Sequence, residues 1–220
     1  MPIFGTTGRT IVRTIGRGLF SRSAAPMLAL LLLPALAPAA AKAQAMVSFT
    51  VGNNLAHGCY VSALTAVKTG ARFALDGIGE CDAALAGPLG EHDRAATLDN
   101  RGILHDVAGN NQAAWADFDA SIKLNPALGD AWLNRGATLI RMKKAEQALP
   151  DIRHGVELGA SLPEIGYYDL GVAEQSLGHI PEAYAAYKEA LAANPAFTPA
   201  VEALKNFMVV PAGSSQEKSG

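Results

Sequence analysis

The sequence predicts an all-α solenoid: stacked helix pairs in a row, closed at the C-terminal end by a capping helix. Three observations predict it. A pattern of large, small and apolar residues over 98–126 recurs 34 residues later over 132–160, and again a further 35 on over 167–195. Each copy holds two amphipathic stretches around a turn, the first of them at Gly109-Asn110-Asn111. Alanine, glycine and leucine are abundant while aromatic residues make up only 6% of the chain, which suits closely apposed helices better than a β-sandwich. A unit of this length cannot bury its own apolar face, so it must stack on copies of itself.

Residues 1–43 read as an export leader outside the fold. Arg9, Arg13, Arg17 and Arg22 give a positive first stretch, 27–36 (MLALLLLPAL) an apolar core, and APAAAKAQA the small residues that a signal peptidase reads. Cleavage after Ala43 or Ala45 fits, and the lack of an Arg-Arg pair favours the general secretory route. The expected destination is the bacterial periplasm or the exterior. The alternative is an uncleaved N-terminal anchor in the inner membrane, facing the periplasm. Pro26, Pro34 and Pro38 argue against it, because the uninterrupted apolar part falls short of the roughly 20 residues that a spanning helix needs. Membrane contact is expected only if this segment is retained.

The formal net charge of -2 hides an asymmetry. Residues 1–43 carry five basic residues and no acidic one, so the remainder has 13 basic against 20 acidic residues, a net of -7. Nucleic-acid binding draws most of its affinity from Lys and Arg on phosphates, so nucleic acid is not an expected partner.

After the leader, 46–53 reads as an extended lead-in, with Asn53 or Asn54 suited to cap a first helix over 55–67. Gly70 breaks it, and a second helix over 71–86 stops at Gly87-Pro88. This pair, 54–88, is a degenerate copy of the later unit: CDAAL at 81–85 aligns with FDASI at 118–122. Cys59 and Cys81 sit one on each helix, near the middle of the facing sides. In an exported chain with two cysteines, a disulfide is the economical reading. It would stabilise by about 3 kcal/mol. A redox pair is the alternative, but Cys-x-x-Cys spacing and a basic cluster are lacking.

Three regular units follow, 95–128, 129–162 and 164–197, with helices expected over 94–108 and 112–124, 130–142 and 145–158, 163–177 and 181–193. Pro163 and Pro181 fall in first turns, where a missing N–H costs nothing. Pro150 falls inside a helix and should remove a hydrogen bond and kink it. A capping helix over 198–209 and a disordered tail over 211–220 complete the chain.

Numbered from Ala95, Gly129 and Glu164, the units alternate fixed small and fixed large sites. The eighth position is Gly102, Gly136, Gly171; the twentieth Ala114, Ala148, Ala183; the twenty-seventh Ser121, Gly155, Ala190. The fourth is Leu98, Trp132, Tyr167 and the twenty-fourth Phe118, Ile152, Tyr187. Arg101 precedes Asp117 by sixteen residues and Arg135 precedes Asp151 by sixteen. In the third unit both partners change together, to Leu170 and Ala186. The seventh and twenty-third positions therefore face each other, as structural ion pairs Arg101–Asp117 and Arg135–Asp151 and then as an apolar contact.

These residues resemble the tetratricopeptide repeat (TPR) family, most closely at Trp132, Gly136 and Ala148 and, in the flanking copies, at Phe118, Pro126, Tyr187, Ala190 and Pro195. The resemblance covers 95–195 well and 54–88 loosely. It departs at Arg101 and Arg135, where leucine is usual, at His105, Leu139 and Glu174, where tyrosine is usual, and at Ala160, where proline is. It implies a right-handed α-α superhelix whose first helices line a concave groove. That groove would carry Asp99, Asn100, Ile103 and Asp106; then Asp130, Leu133, Asn134, Ala137 and Arg141; then Tyr168, Asp169, Val172 and Gln175. Asn100 and Asn134 match the family's groove asparagines, whose amides serve an extended peptide. The lysine-arginine set that grips a C-terminal carboxylate is missing, and the aspartates lean towards a basic or neutral partner.

No catalytic constellation emerges. The five histidines are scattered, His105 reads as a satisfied core residue, and Gly77-x-Gly79 lies within a helix rather than between strand and helix. No metal or cofactor is called for. The expected function is a non-catalytic interaction module or scaffold of the bacterial envelope, binding a protein or peptide in its groove. The alternative is a structural or accessory envelope protein acting through its convex face or by self-association.

Overall fold

The computed structural model describes residues 9–13 and 54–211. Among them run β1 (Arg9–Arg13), α1 (Asn54–Thr69), a short 3-10 turn (Ala71–Phe73), α2 (Ala74–Ala86), α3 (Glu91–Val107), α4 (Asn111–Leu124), α5 (Gly129–Arg141), α6 (Ala145–Glu157), α7 (Pro163–Ser176), α8 (Ile180–Ala193), α9 (Thr198–Leu204) and β2 (Phe207–Pro211). The helices form consecutive pairs, α1 with α2 through α7 with α8, and α9 packs on α8. The expected lead-in 46–53, most of the expected leader and residues 212–220 lie outside the described residues.

The alternation of small and large sites explains how each pair closes. A Cβ placed on Gly102 would stand 2.6 Å from the Phe118 ring, one on Gly136 2.5 Å from Ile152, and one on Gly171 2.5 Å from the Tyr187 ring. The eighth position of every unit is thus the socket for the twenty-fourth. Phe118, Ile152 and Tyr187 are buried by this fit. Each turn within a unit needs a left-handed residue at the fifteenth position. Gly109 and Gly178 supply it with φ of 83° and 84°, while in the second unit Lys143 adopts it at φ 60°. The second helix of that unit runs on through Pro150, whose ring is exposed.

Two apolar clusters fill the stack. One joins Cys59, Ala63, Ala66 and Cys81 to Ile103, Leu104 and Phe118; the other joins Leu133, Ile152 and Ile165 to Ala190, Phe197 and Ala200. Cys59 and Cys81 form a disulfide, both fully buried, with a sequence separation of 22.

The C-terminal cap differs from the expected helix over 198–209. The helix ends at Leu204, and Phe207–Pro211 forms a strand antiparallel to Arg9–Arg13. β-branched Val209 and Val210 with Pro211 make a poor helix end and a good strand. Pro211, expected to begin a disordered tail, closes that strand, and the all-α stack carries this two-stranded ribbon at its edge.

Candidate partner-binding face

The seventh-position arginines Arg101 and Arg135 each make three side-chain hydrogen bonds. Arg101 donates from Nε to Asp117 Oδ2 at 2.8 Å and from Nη2 to Asp117 Oδ1 at 2.6 Å, a two-pronged contact with the second helix of its own unit. Its third prong, Nη1, donates at 2.6 Å to Asp82 on α2 of the preceding pair. Arg135 repeats the arrangement: two bonds to Asp151, at 2.7 and 2.8 Å, and one at 2.8 Å to Asp119 on α4. Each arginine therefore joins two successive units. The Asp117 bonds hold the Arg101 guanidinium above its usual pKa against the opposing effect of burial. For Arg135 burial is the larger influence and lowers the value, but the bonds to Asp151 and Asp119 together outweigh it. Arg135 also stacks over Trp132, 4.8 Å from the ring centre. The second partners, Asp82 and Asp119, are legible in the sequence only as the shared Asp of CDAAL and FDASI. In the third unit Leu170 packs into the apolar cluster.

The curvature of the stack follows from which helices meet. The first helices α3, α5 and α7 touch their neighbours directly across units, whereas α4 and α6 make scarcely any contact with each other. The stack bends toward the first-helix side, so those helices line the inner face.

That inner face is not open along its length, which corrects the expected groove. Asp99, Asn100 and Ile103 are fully buried, Leu133 is 1% exposed and Asn134 5%. The physical reason is the direct meeting of first helices. Position five of one unit faces position six of the next, and Asn134 Nδ2 donates to Asp99 Oδ1 at 3.1 Å. Asn134, expected to serve a peptide, links α5 to α3. Asp130 is turned to the following interunit loop, accepting from the Ser161 N–H at 2.8 Å and from its hydroxyl. A residue not singled out from the sequence, Thr138, lies fully buried between these helices and bonds Asp106 Oδ1 at 3.2 Å and the Asn134 carbonyl at 2.9 Å.

The accessible part of the face is the second half, where Ala137, Arg141, Tyr168, Asp169, Val172 and Gln175 remain at least partly exposed. Its charged centre spans three units. Arg141 on α5 reaches back to Asp106 on α3, with Nε 2.8 Å from Oδ1. Asp169 on α7 senses both of them. Burial pushes the Asp169 carboxyl up to about 7, an effect that Arg141 opposes and Asp106 reinforces. Asp169 accepts no side-chain hydrogen bond among the described residues. Burial likewise raises Asp106, against the pull of Arg141 and Thr138. Tyr168 packs on Tyr187 and Phe197, with ring centres 5.5 and 5.7 Å apart, and burial beside Asp169 raises its hydroxyl. Gln175 accepts from the Tyr187 hydroxyl at 3.0 Å, so its carbonyl is already engaged.

His105, expected to be a satisfied core residue, is not hydrogen-bonded through either ring nitrogen among the described residues. Its Nε2 lies 3.9 Å from Asp117, while the buried Nδ1 has no hydrogen-bond partner among the described residues. Gly77 and Gly79 both fall within α2, and Gly77 is a contact site, where a Cβ would stand 2.8 Å from Ser62 Cβ.

Helix pairs stacked through small-for-large sockets, with first helices lining an inner face, define a helical-repeat solenoid. Residues 166–197 match the tetratricopeptide repeat family model. That stretch is a tetratricopeptide repeat, and the stack around it has the fold of a TPR solenoid. Similar solved structures include the TPR domain of Arabidopsis OM64, 24% identical with a TM-score of 0.51 over 53% of this chain and 95% of that one. The second TPR domain of human RPAP3, solved in complex with an HSP70 peptide, is 23% identical with a TM-score of 0.50 over 53% and 96%. MamA of Desulfovibrio magneticus RS-1, from residue 41 to its end, is 20% identical with a TM-score of 0.56 over 69% of this chain and 82% of that one. At these identities the likeness is one of fold. No curated protein matches the chain.

Proposed function

We propose that this protein is a non-catalytic interaction module of the bacterial envelope that takes a basic or neutral peptide segment of a protein partner on the second half of its inner face. The observation that carries this reading is Asp169. Its carboxylate stands on the inner face without a hydrogen bond among the described residues, beside an Asp106–Arg141 pair that leaves the centre with an excess of negative charge. A cationic side chain would supply the missing partner, and Tyr168 and Val172 offer apolar contact on either side along α7. The human RPAP3 domain holds an HSP70 peptide in its solved complex. Here the sequence lacks the lysine-arginine set suited to a terminal carboxylate, so a different peptide chemistry is expected. The reading of 1–43 as an export leader, from its basic start and apolar core, is the basis for placing the protein in the envelope.

The test compares the processed chain with the double variant Asp169→Lys and Val172→Glu, each immobilised and exposed to a bacterial envelope extract. The wild-type column should retain a protein that the variant column loses, with both proteins giving the same helical circular-dichroism spectrum and a single cooperative melt. Equal retention by the two columns would refute use of this face.

A further inference from the structure

The ribbon at the edge of the stack has a consequence for assembly. β2, Phe207–Pro211, pairs along its whole length with β1, with Arg9 opposite Pro211, Ile11 opposite Val209 and Arg13 opposite Phe207. It is anchored at its start. The Phe207 ring lies 5.8 Å from Tyr184 and 5.9 Å from Tyr187 on α8, centre to centre. β1 also touches α8. A segment laid beside β2 thus gains a ladder of backbone hydrogen bonds and a helix to rest on.

β1 belongs to the stretch that reads as an export leader. Its removal would strip β2 of its one partner in the described sheet and leave a row of unpaired N–H and C=O groups on an apolar strand. Such an edge is a template for another strand. The sequence of this edge, FMVVP, is uncharged and self-complementary. Antiparallel about Val209, it sets Phe207 against Pro211 and Met208 against Val210 of a second copy, apolar on apolar with no like charges opposed. The second strand would have the same five-residue length and the same register as Arg9–Arg13, with no overhang.

We propose that in the processed chain the Phe207–Pro211 edge is filled by the same strand of a second copy, giving a two-fold symmetric dimer joined through a continuous ribbon. The inference rests on removal of the leader. Five-residue pairing is marginal in isolation, so the dimer forms with a concentration-dependent midpoint and draws on contact with α8.

The experiment uses the full chain produced in a bacterial host with its own leader. The N-terminal residue of the purified protein is determined first, and sedimentation equilibrium then gives its mass from low to high micromolar concentration. The expected result is a start at Gln44 or Met46 and a mass that rises to twice the monomer value. Val209→Pro and Val210→Pro are measured in parallel. Successive strand residues point their N–H groups to opposite sides, so one of the two variants removes a bond to the second copy and weakens dimerisation about tenfold. Below the dimerisation midpoint the melting temperature should not change, because the strand lies outside the helical stack and no dimer is then present to stabilise the fold. A processed chain that stays monomeric throughout would overturn the proposal, as would two proline variants that dimerise like wild type. A monomer that instead takes up a synthetic peptide spanning residues 7–15 would overturn it too, by showing that the edge selects a different strand. A product that retains Met1 would refute the leader reading itself, and the N-terminal residue distinguishes that failure from the others.

Discussion

Arg153 Nη2 lies 2.8 Å from Glu174 Oε1, and this pair replaces, with its polarity reversed, the joint that Asp119 and Arg135 make one unit earlier. At the first two joints the acid is on the preceding second helix, Asp82 or Asp119, and the arginine on the following first helix. At the third the arginine precedes and the acid follows. Glu174 is 3% exposed and is also bonded by His179, whose Nδ1 stands 2.7 Å from Oε2. The consequence is an ordering rule. If the third unit followed the first directly, Asp119 would confront Glu174, like charge on buried like charge. The joints thus discriminate against wrong stacking as well as binding the right neighbour.

Removing one member of the intra-unit pair should be more damaging than removing the bridge to the previous unit. Asp117 is 9% exposed at its side chain and Asp82 56%. Asp117→Ala removes the two-pronged contact and leaves the partly buried Arg101 guanidinium with exposed Asp82 as its acidic partner, which should cost about 1.5–3 kcal/mol. Asp82→Ala should cost at most about 1 kcal/mol, as exposed pairs do. Urea unfolding of the two single variants, with Arg101→Leu and the Arg101→Leu/Asp117→Ala double, checks this. Additive losses in that cycle would mean that the pair is not coupled.

The glycines should separate into sockets and bystanders. Gly171→Ala puts a methyl 2.5 Å from the Tyr187 ring and should destabilise by about 1–3 kcal/mol through overpacking. At Gly79, on α2, a Cβ would meet nothing within 4 Å, and Gly79→Ala should stabilise by roughly 0.5–1 kcal/mol through helix propensity. Opposite signs in thermal melts are the expected outcome; a gain at Gly171 would mean that the socket is loose.

What the sequence makes legible is whatever repeats. The sockets at Gly102, Gly136 and Gly171 and the Arg101–Asp117 spacing recur with the unit, so the period exposes them. The inner face departs from its expected openness for a physical reason. Asp99, Asn100 and Asn134 are polar and sit on the first helices, and a polar residue in a repeat looks solvated. Their burial depends on how closely the first helices of adjacent units approach, which no single unit encodes. Glu174 is visible as a departure from the usual tyrosine, but its partner Arg153 lies in the preceding unit, outside the comparison of like positions.

The disulfide should matter locally more than globally. Cys59 and Cys81 clamp α1 to α2, the pair that matches the repeat most loosely, and the cluster they share extends to Ile103 and Phe118. Replacing both by alanine should cost about 3 kcal/mol. Hydrogen exchange is the discriminating measurement: amides of α1 and α2 should lose protection first, while those of α7 and α8 hold. A uniform loss along the chain would show that the stack unfolds as one unit instead.

Asp169 should give the fold a pH dependence of defined sign. Burial raises its folded-state value from 3.8 to about 7, with Arg141 of α5 lowering it and Asp106 of α3 raising it. A raised carboxyl favours folding in its neutral form. Its contribution is therefore fully present below about 3.8 and is lost as pH rises through about 7, with no further change above. Buried Asp106 is shifted in the same direction and adds to the slope. Asp169→Asn keeps the shape and abolishes the titration. Its melting temperature should exceed that of wild type at pH 8 and approach it at pH 5. A wild-type and variant difference that is constant across this range would show that Asp169 titrates like an exposed carboxylate. The same titration bears on partner binding: a cationic peptide on this face should be held more tightly at pH 8 than at pH 5, and the Asp169→Asn variant should show no such change.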